Sequence, residues 1–120
     1  MQSISPETIY RGNSAWEKSL PQITKLTKSP LILGRGIQTN NLRNNIFNDL
    51  KNQKLNVNSA NLQFDCCYED ISRVKNIISN NNNDCVIAAG GGKVLDSGKY
   101  IAESLNIPVS YTHLTLPTNC

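Results

Sequence analysis

The sequence predicts an α/β fold in which helices cover both faces of a parallel β-sheet. Strand-like and helix-like segments alternate along its 120 residues. Two of the strand-like runs, residues 30–33 (PLIL) and 85–89 (CVIAA), are apolar throughout, as expected of strands that are buried on both faces. The segments between strands are long enough to be helical crossovers, which parallel strands require. A chain of this length can bury one core.

The first half of the chain is predicted to contain two strands and two helices. A short strand at residues 7–11 is followed by a helix from Ala15, with Ser14 as its cap, Glu17 at the capping-box position and a kink or break at Pro21. Its apolar stripe comprises Trp16, Leu20, Ile23 and Leu26. The strand at residues 30–33 ends at Gly34-Arg-Gly36, and the helix at residues 37–50 has one apolar face, formed by Leu42, Ile46 and Leu50.

The second half continues the alternation. A strand is predicted at residues 61–67, where Leu62, Phe64 and Cys66 alternate with other residues. The helix at residues 68–78 turns four apolar side chains inward, namely Ile71, Val74, Ile77 and Ile78. A polar asparagine loop, the buried strand at residues 85–89 and a helix at residues 93–105 follow, and Ile107 begins a last strand. The predicted order is therefore β-α-β-α-β-α-β-α-β.

Three consecutive glycines, Gly90, Gly91 and Gly92, separate the buried strand from the last helix. Glycine has no side chain to keep a ligand away from the backbone, and the first amides of a helix lack partners within it. A glycine-rich turn between a strand and a helix is therefore suited to binding phosphate. The spacing matches neither the G-x-G-x-x-G fingerprint, because Leu95 replaces the third glycine, nor the Walker A loop, because Val94 follows Gly-Lys. An ordinary turn that needs glycine for steric reasons is the alternative.

Charged side chains follow the glycines at helical spacing. Lys93, Asp96 and Lys99 (or Tyr100) are expected to share one helix face, with Asp96 in the first turn, where the helix dipole favours a carboxylate. Solvated surface residues would show the same pattern. The turns after Leu33 and Ala89 are expected at the same sheet edge. Arg35 could accommodate a 2′-phosphate there, although a solvent-facing loop arginine is the commoner role.

Composition excludes several classes of protein. The net charge of +3 comes from scattered lysines and arginines without interleaved aromatic residues, which argues against nucleic-acid binding. The sequence contains no basic-then-apolar leader and no apolar run of membrane-spanning length. Its four cysteines, Cys66, Cys67, Cys85 and Cys120, fit no zinc spacing, and Cys66 and Cys67 are expected on opposite faces of a strand. We expect a soluble, reduced, cytoplasmic protein.

Residues 88–99 (AAGGGKVLDSGK) resemble the GGGK-x-x-D-x-x-K signature of the glycerol dehydrogenase branch of the iron-containing alcohol dehydrogenases. The resemblance runs in register from about Ile9 to Val109. It is supported by YRG at residues 10–12, PLILG at 30–34, DCCYED at 65–70 and LNIP at 105–108.

This resemblance implies that residues 1–109 form an N-terminal NAD(P)-binding domain with a Rossmann-like fold. Gly90, Gly91 and Gly92 would bind the cofactor pyrophosphate through backbone amides. Lys93 and Asp96 would lie beside the cofactor, with Asp96 on the nicotinamide side, and Lys99 matches the family lysine. The cofactor would be NAD or NADP, and the substrate a small polyol or another alcohol. A homo-oligomer is compatible with the family.

No catalytic residue and no metal ligand is assigned within these 120 residues. The family's zinc or iron ligands, one aspartate and two histidines, belong to a helical C-terminal domain that has no counterpart in this sequence. The chain alone is therefore expected to be inactive and to bind nucleotide weakly at best. A dehydroquinate synthase, a glycerol-1-phosphate dehydrogenase and a stand-alone nucleotide-binding module are alternatives.

Residues 110–120 (SYTHLTLPTNC) depart from the family pattern and look like translated sequencing-adapter read-through. We expect this tail to be non-native and therefore assign no role to His113. A genuine β-rich extension is the alternative, since residues 111–116 alternate well enough for a strand.

Overall fold

The computed structural model describes residues 13–36, 40–63 and 67–113. The elements alternate along these residues as predicted: α1 (Asn13–Leu26), β1 (Pro30–Arg35), α2 (Asn40–Asn52), β2 (Asn58–Leu62), α3 (Tyr68–Asn81), β3 (Cys85–Gly90), α4 (Gly92–Leu105) and β4 (Val109–His113). The strand predicted at residues 7–11 lies outside the described residues.

The four described strands form a parallel sheet in the order β2-β1-β3-β4. Leu33 of β1 pairs with Ala60 of β2 on one side and with Ala88 of β3 on the other. β1 and β3 are thus the central pair of this sheet, and both are apolar because each is covered on both faces. The predicted α/β fold with a parallel sheet is confirmed.

Alternate side chains of β1 and β3 point to opposite faces of the sheet and form two apolar clusters. On one face, Ile32 and Ile87 pack with Ile23 of α1 and with Ile46 and Leu50 of α2. The other face packs against α3 and α4, through Leu31, Leu33, Val86, Ala88, Val74, Ile78, Val94, Ile101 and Ala102. Helices therefore cover both faces, as predicted, with α1 and α2 on one face and α3 and α4 on the other.

Helix α1 differs from its prediction in three respects. It begins at Asn13, so Ser14 lies within the helix rather than at its cap. It continues through the exposed Pro21 without a break, because the buried Ile23 in the next turn anchors it to the sheet. Leu26 is exposed instead of joining the apolar stripe, since Thr27, four residues after Ile23, takes the buried position.

Strand β2 was predicted three residues too late. It begins at Asn58 because it pairs with β1 from Leu31 onward, and its buried side chains are Ala60 and Leu62. Cys67 is the cap residue of α3, so the prediction that it belongs to a strand with Cys66 is wrong. The prediction for Cys85 is confirmed: it is fully buried, and burial raises the pKa of its thiol to about 12.

The carboxylate of Asp84 ties the start of β3 to the turn before β1. It accepts hydrogen bonds from the Thr27 hydroxyl and from the amides of Lys28 (3.0 Å) and Ser29 (3.1 Å). Burial opposes ionisation of this carboxyl, but the three donors outweigh it and hold its pKa below the ordinary value. This polar junction lies at the amino-terminal edge of the sheet.

Replacing Asp84 by asparagine is expected to lower the free energy of unfolding at pH 7 by about 1.5 kcal/mol, because charge-assisted hydrogen bonds are lost. Since the folded pKa lies below the unfolded one, this contribution is complete above the unfolded pKa of about 3.9 and disappears as pH falls through the folded value. Urea unfolding between pH 7 and pH 2 should show that the difference in free energy of unfolding between the unmodified protein and Asp84→Asn, here called the gap, becomes smaller as the pH falls. The exposed control Glu103→Gln should show no comparable gap, and a pH-independent Asp84→Asn gap would contradict the assignment.

Strand β4 carries two buried hydroxyl groups without hydrogen-bond partners. Ser110 and Thr112 pair with Ile87 and Ala89, and their side chains are 0% and 1% exposed. Residues 110–113 therefore continue the sheet in register, and two of them, Ser110 and Thr112, bury a hydroxyl group that makes no hydrogen bond. A buried hydroxyl that makes no hydrogen bond costs about 1–3 kcal/mol.

Valine at position 112 is expected to raise the free energy of unfolding by about 1 kcal/mol, because a methyl group replaces an unpaired hydroxyl of similar size. The same substitution at Thr27 provides a matched control. Thr27 is equally buried, but its hydroxyl donates to Asp84, so Thr27→Val should be destabilising. Urea unfolding of both variants checks the pair. Destabilisation by Thr112→Val would show that its hydroxyl is satisfied.

The expectation that residues 110–120 are non-native remains a prediction. Sequencing genomic DNA through codon 109 and beyond checks it directly. From codon 110 onward, the genomic sequence is expected to encode residues other than those of this tail.

Candidate functional site

The carboxyl ends of β1 and β3 form a topological switch point. From β1 the chain passes through α2 to β2 on one side of the sheet, and from β3 it passes through α4 to β4 on the other. Ligands of open parallel sheets bind in the crevice outside such a point. As predicted, the turns after Leu33 and after Ala89 lie at this same edge, because the two strands are parallel neighbours.

The glycine turn lies directly at this point, and its three glycines differ in environment. Gly90 is the buried last residue of β3, and a Cβ there would lie 2.9 Å from Val94 of α4. Gly91 and Gly92 are exposed, and a Cβ at either would meet no heavy atom within 4 Å beyond their neighbours. Gly90 is therefore required by packing, whereas Gly91 and Gly92 leave open space in front of the backbone.

Helix α4 starts without a side-chain cap. Gly91 occupies the cap position with extended backbone (φ −88°, ψ −169°), and its carbonyl accepts the first helical hydrogen bond, from Leu95 at 3.0 Å. The first amides of α4 consequently face the open space beside Gly91 and Gly92, at the positive end of the helix dipole. A pyrophosphate fits this arrangement, because its oxygens can accept from those amides.

Of the three charged residues predicted beside the glycines, the structure brings two together. Lys93 and Asp96 line a groove of about 620 Å³ between α3 and α4, together with Tyr68, Ile71, Ser72, Lys75, Ser97 and Tyr100. Lys99 is exposed but does not line that groove, so Tyr100 is the residue that shares this face of α4. Asp96 is the fifth residue of α4, and its predicted place in the first turn is wrong because the helix begins at Gly92.

Sequence reasoning missed the buried arginine that shapes the turn after β1. The guanidinium of Arg43, on α2, donates to the carbonyl oxygens of Arg35 (3.4 Å) and Gly36. It occupies the space in front of Gly34, where a Cβ would overlap its Nε atom. Burial lowers the pKa of Arg43 from its ordinary value. The sequence alone offers no signal for this contact, which joins residues of two different elements.

A second buried charge organises the start of α3. Asp70 is 1% exposed, and its carboxylate accepts from the Gln63 amide (3.0 Å) and pairs with Arg73 (3.1 Å). The guanidinium of Arg73 also donates to the carbonyl of Asn61. These contacts fix the end of β2 against α3, so Asp70 serves the fold rather than a ligand.

No helix among the described residues is long and apolar enough to cross a membrane. No three histidine, cysteine, aspartate or glutamate side chains within residues 13–36, 40–63 and 67–113 are grouped so that they could hold a metal ion.

The sequence model of the family described as "Iron-containing alcohol dehydrogenase" matches residues 6–118. The chain belongs to this family. The match confirms the resemblance found in the glycine motif and extends beyond Val109, where we placed its end. No match was found among curated proteins.

Solved structures of several dehydrogenases and reductases share the fold. Glycerol dehydrogenase from Schizosaccharomyces pombe is 21% identical, with a TM-score of 0.75 over 93% of this chain and 27% of that one. Maleylacetate reductase from Rhizobium sp. strain MTP-10005 is 19% identical, with a TM-score of 0.72 over 94% and 32%. Alcohol dehydrogenase from Oenococcus oeni is 22% identical, with a TM-score of 0.67 over 78% and 26%. The chain thus spans about a quarter to a third of these proteins.

Proposed function

We propose that this chain is the cofactor-binding part of an NAD(P)-dependent and metal-dependent alcohol dehydrogenase of the polyol or glycerol type. The observation that carries the proposal is the uncapped start of α4 at the switch point, where Gly91 and Gly92 leave room for phosphate. Family membership and the fold shared with a glycerol dehydrogenase support the reaction class. The type of alcohol substrate, a polyol such as glycerol, is likewise proposed.

In this function the amides at the start of α4 bind the pyrophosphate, and the ammonium group of Lys93, one residue further, adds positive charge beside it. Gly90 lets the strand turn into the helix against Val94 and so sets the position of those amides. The bound nicotinamide supplies the hydride acceptor. Asp96 and Lys99 complete the proposed cofactor-binding set, with Asp96 toward the nicotinamide.

No step is assigned to a metal ion, because the described residues offer no group of ligands for one. The proposed roles of this chain are to bind and orient the dinucleotide. The predicted cytoplasmic location stays a prediction. The expectation that the 120 residues alone do not oxidise an alcohol stays a prediction.

Calorimetric titration of the chain with NAD and with NADP tests the proposal. Saturable one-to-one binding of at least one of them is expected, and binding should weaken as salt is added, since phosphate contacts are screened. Failure of both dinucleotides to bind would remove the proposed function. Competition by inorganic pyrophosphate would support the assignment of the site to the start of α4.

A further inference from the structure

The carboxyl end of β1 presents a cation beside the proposed pyrophosphate site. Arg35 is the last residue of β1 and is exposed. Continuing the register that pairs Leu33 with Ala88 places Arg35 opposite Gly90, one strand spacing of about 4.8 Å away. The two strand ends that flank the switch point therefore carry the glycine turn and an arginine.

The side chain of Arg35 lies on the same face of the sheet as α4. Side chains alternate along a strand, and Leu31 and Leu33 belong to the cluster that packs against α3 and α4. Arg35 shares their face, whereas Gly34 faces α2 and Arg43. A ligand with its pyrophosphate on α4 thus meets the Arg35 side chain next to it, on the β1 side.

The backbone that carries Arg35 is held in place from the opposite face. Arg43 binds the carbonyl oxygens of Arg35 and Gly36, and Gly36 adopts a positive φ of 73° that favours glycine. The strand end is therefore fixed by a buried side chain, which lowers the entropic cost of using Arg35 for binding.

The acidic residues of α2 and α3 do not lie beside the glycine turn as Arg35 does. Between Arg35 and the end of α2, the acid found in the sequence is Asp49, in the last turns of that helix and away from the sheet edge. Asp70, in the first turn of α3, is buried and engaged by Gln63 and Arg73. Asp65 follows β2 in the sequence and lies outside the described residues. Glu69 is exposed at the start of α3, one strand further from the glycine turn. In dinucleotide sites an acid at the adjacent strand end binds a free ribose 2′-hydroxyl, whereas an arginine there accommodates a 2′-phosphate.

We propose that Arg35 binds the 2′-phosphate of NADP and makes this chain prefer NADP over NAD. The inference rests on the proposed function and specifies the cofactor for the same site. A guanidinium can donate two hydrogen bonds to one phosphate, and charge-assisted bonds of this kind are the stronger ones. We expect NADP to bind about tenfold more tightly than NAD.

The test is calorimetric titration of the 120-residue chain and two variants with NAD and with NADP. Arg35→Gln should weaken NADP binding about tenfold and leave NAD binding unchanged. Lys28→Gln is the matched control, because Lys28 is an exposed cation just before the opposite end of β1 and its removal changes the net charge equally. It should leave the NADP preference intact.

The outcomes separate the two proposals. If both cofactors bind equally to the unmodified chain, the NADP preference is overturned and the proposed function stands. If NAD binds more tightly and Glu69→Gln abolishes that advantage, the acid rather than the arginine selects the cofactor. A preference lost equally in Arg35→Gln and Lys28→Gln would reflect net charge alone and overturn the role of Arg35. Absence of binding by either dinucleotide overturns both proposals.

Discussion

Replacing Gly98 by valine is expected to lower the free energy of unfolding by about 3 kcal/mol, because α4 packs against β3 without room for a side chain. A Cβ at Gly98 would lie 2.6 Å from the Cβ of Ala88, far inside contact distance. Ala88 lies on a central strand and is fully buried, so it cannot move away. The helix itself must shift.

Glycine at this position is otherwise unfavourable. In the interior of a helix it costs about 1 kcal/mol relative to alanine. Its presence inside α4 is therefore explained by the close approach of the helix to the sheet. Because Gly98 lies six residues after Gly92 in the same helix, displacing α4 would also move the amides that we assign to phosphate binding.

Urea unfolding of Gly98→Val and four further variants measures this packing. Glu103→Val places the same residue on the exposed face of α4 and should change stability by no more than about 0.5 kcal/mol. Gly98→Ala and Ala88→Gly, alone and combined, form a double-mutant cycle in which the methyl group moves from strand to helix. We expect the alanine at position 98 to be better tolerated when residue 88 is glycine, with a coupling of about 1 kcal/mol. Additive effects, or a Gly98→Val protein of unchanged stability, would contradict the contact.

The sequence predicts correctly those elements whose own residues show that they are buried. β1 and β3 are covered on both faces, so their apolar runs identify them, and the helices follow from the intervening periodicity. Strand β2 was placed too late because Asn58 and Ser59 carry no apolar signal. Its start is set by pairing with β1, and such long-range pairing overrides local preference.

The glycine motif of the candidate site was predictable from the sequence, but the separate environments of its glycines and the position of Arg43 were not. Three glycines in a row indicated a phosphate-binding turn, yet only the structure separates Gly90, which packs on Val94, from the open Gly91 and Gly92. Arg43 was missed because a buried arginine cannot be told from a surface one by its type. Its place depends on the missing side chain of Gly34, a contact between residues in different elements.

Because Gly91 faces open space while Gly90 packs on Val94, a methyl group at position 91 should affect binding rather than packing. Gly91→Ala should weaken dinucleotide binding by about thirtyfold and change the free energy of unfolding by no more than about 0.5 kcal/mol, since the poorer helix cap is offset by the lower entropy of the unfolded chain. The protein leaves the position of the new methyl group empty, and the backbone there (φ −88°, ψ −169°) is one that alanine adopts freely. The methyl group would instead occupy the space of the phosphate. Loss of one charge-assisted hydrogen bond, about 2 kcal/mol, corresponds to about thirtyfold in Kd.

The neighbouring substitution Gly90→Ala is the matched control for this result. Its methyl group would lie 2.9 Å from Val94, so it should destabilise the protein through packing, as measured by urea unfolding. Gly91→Ala should then show nearly unchanged unfolding and lost binding in calorimetry, a combination that a purely structural role for the three glycines does not produce. If Gly91→Ala binds NAD and NADP as the unmodified chain does, the pyrophosphate does not lie on these amides. The glycines would then serve the turn alone, and the cofactor assignment would lose the observation on which it depends.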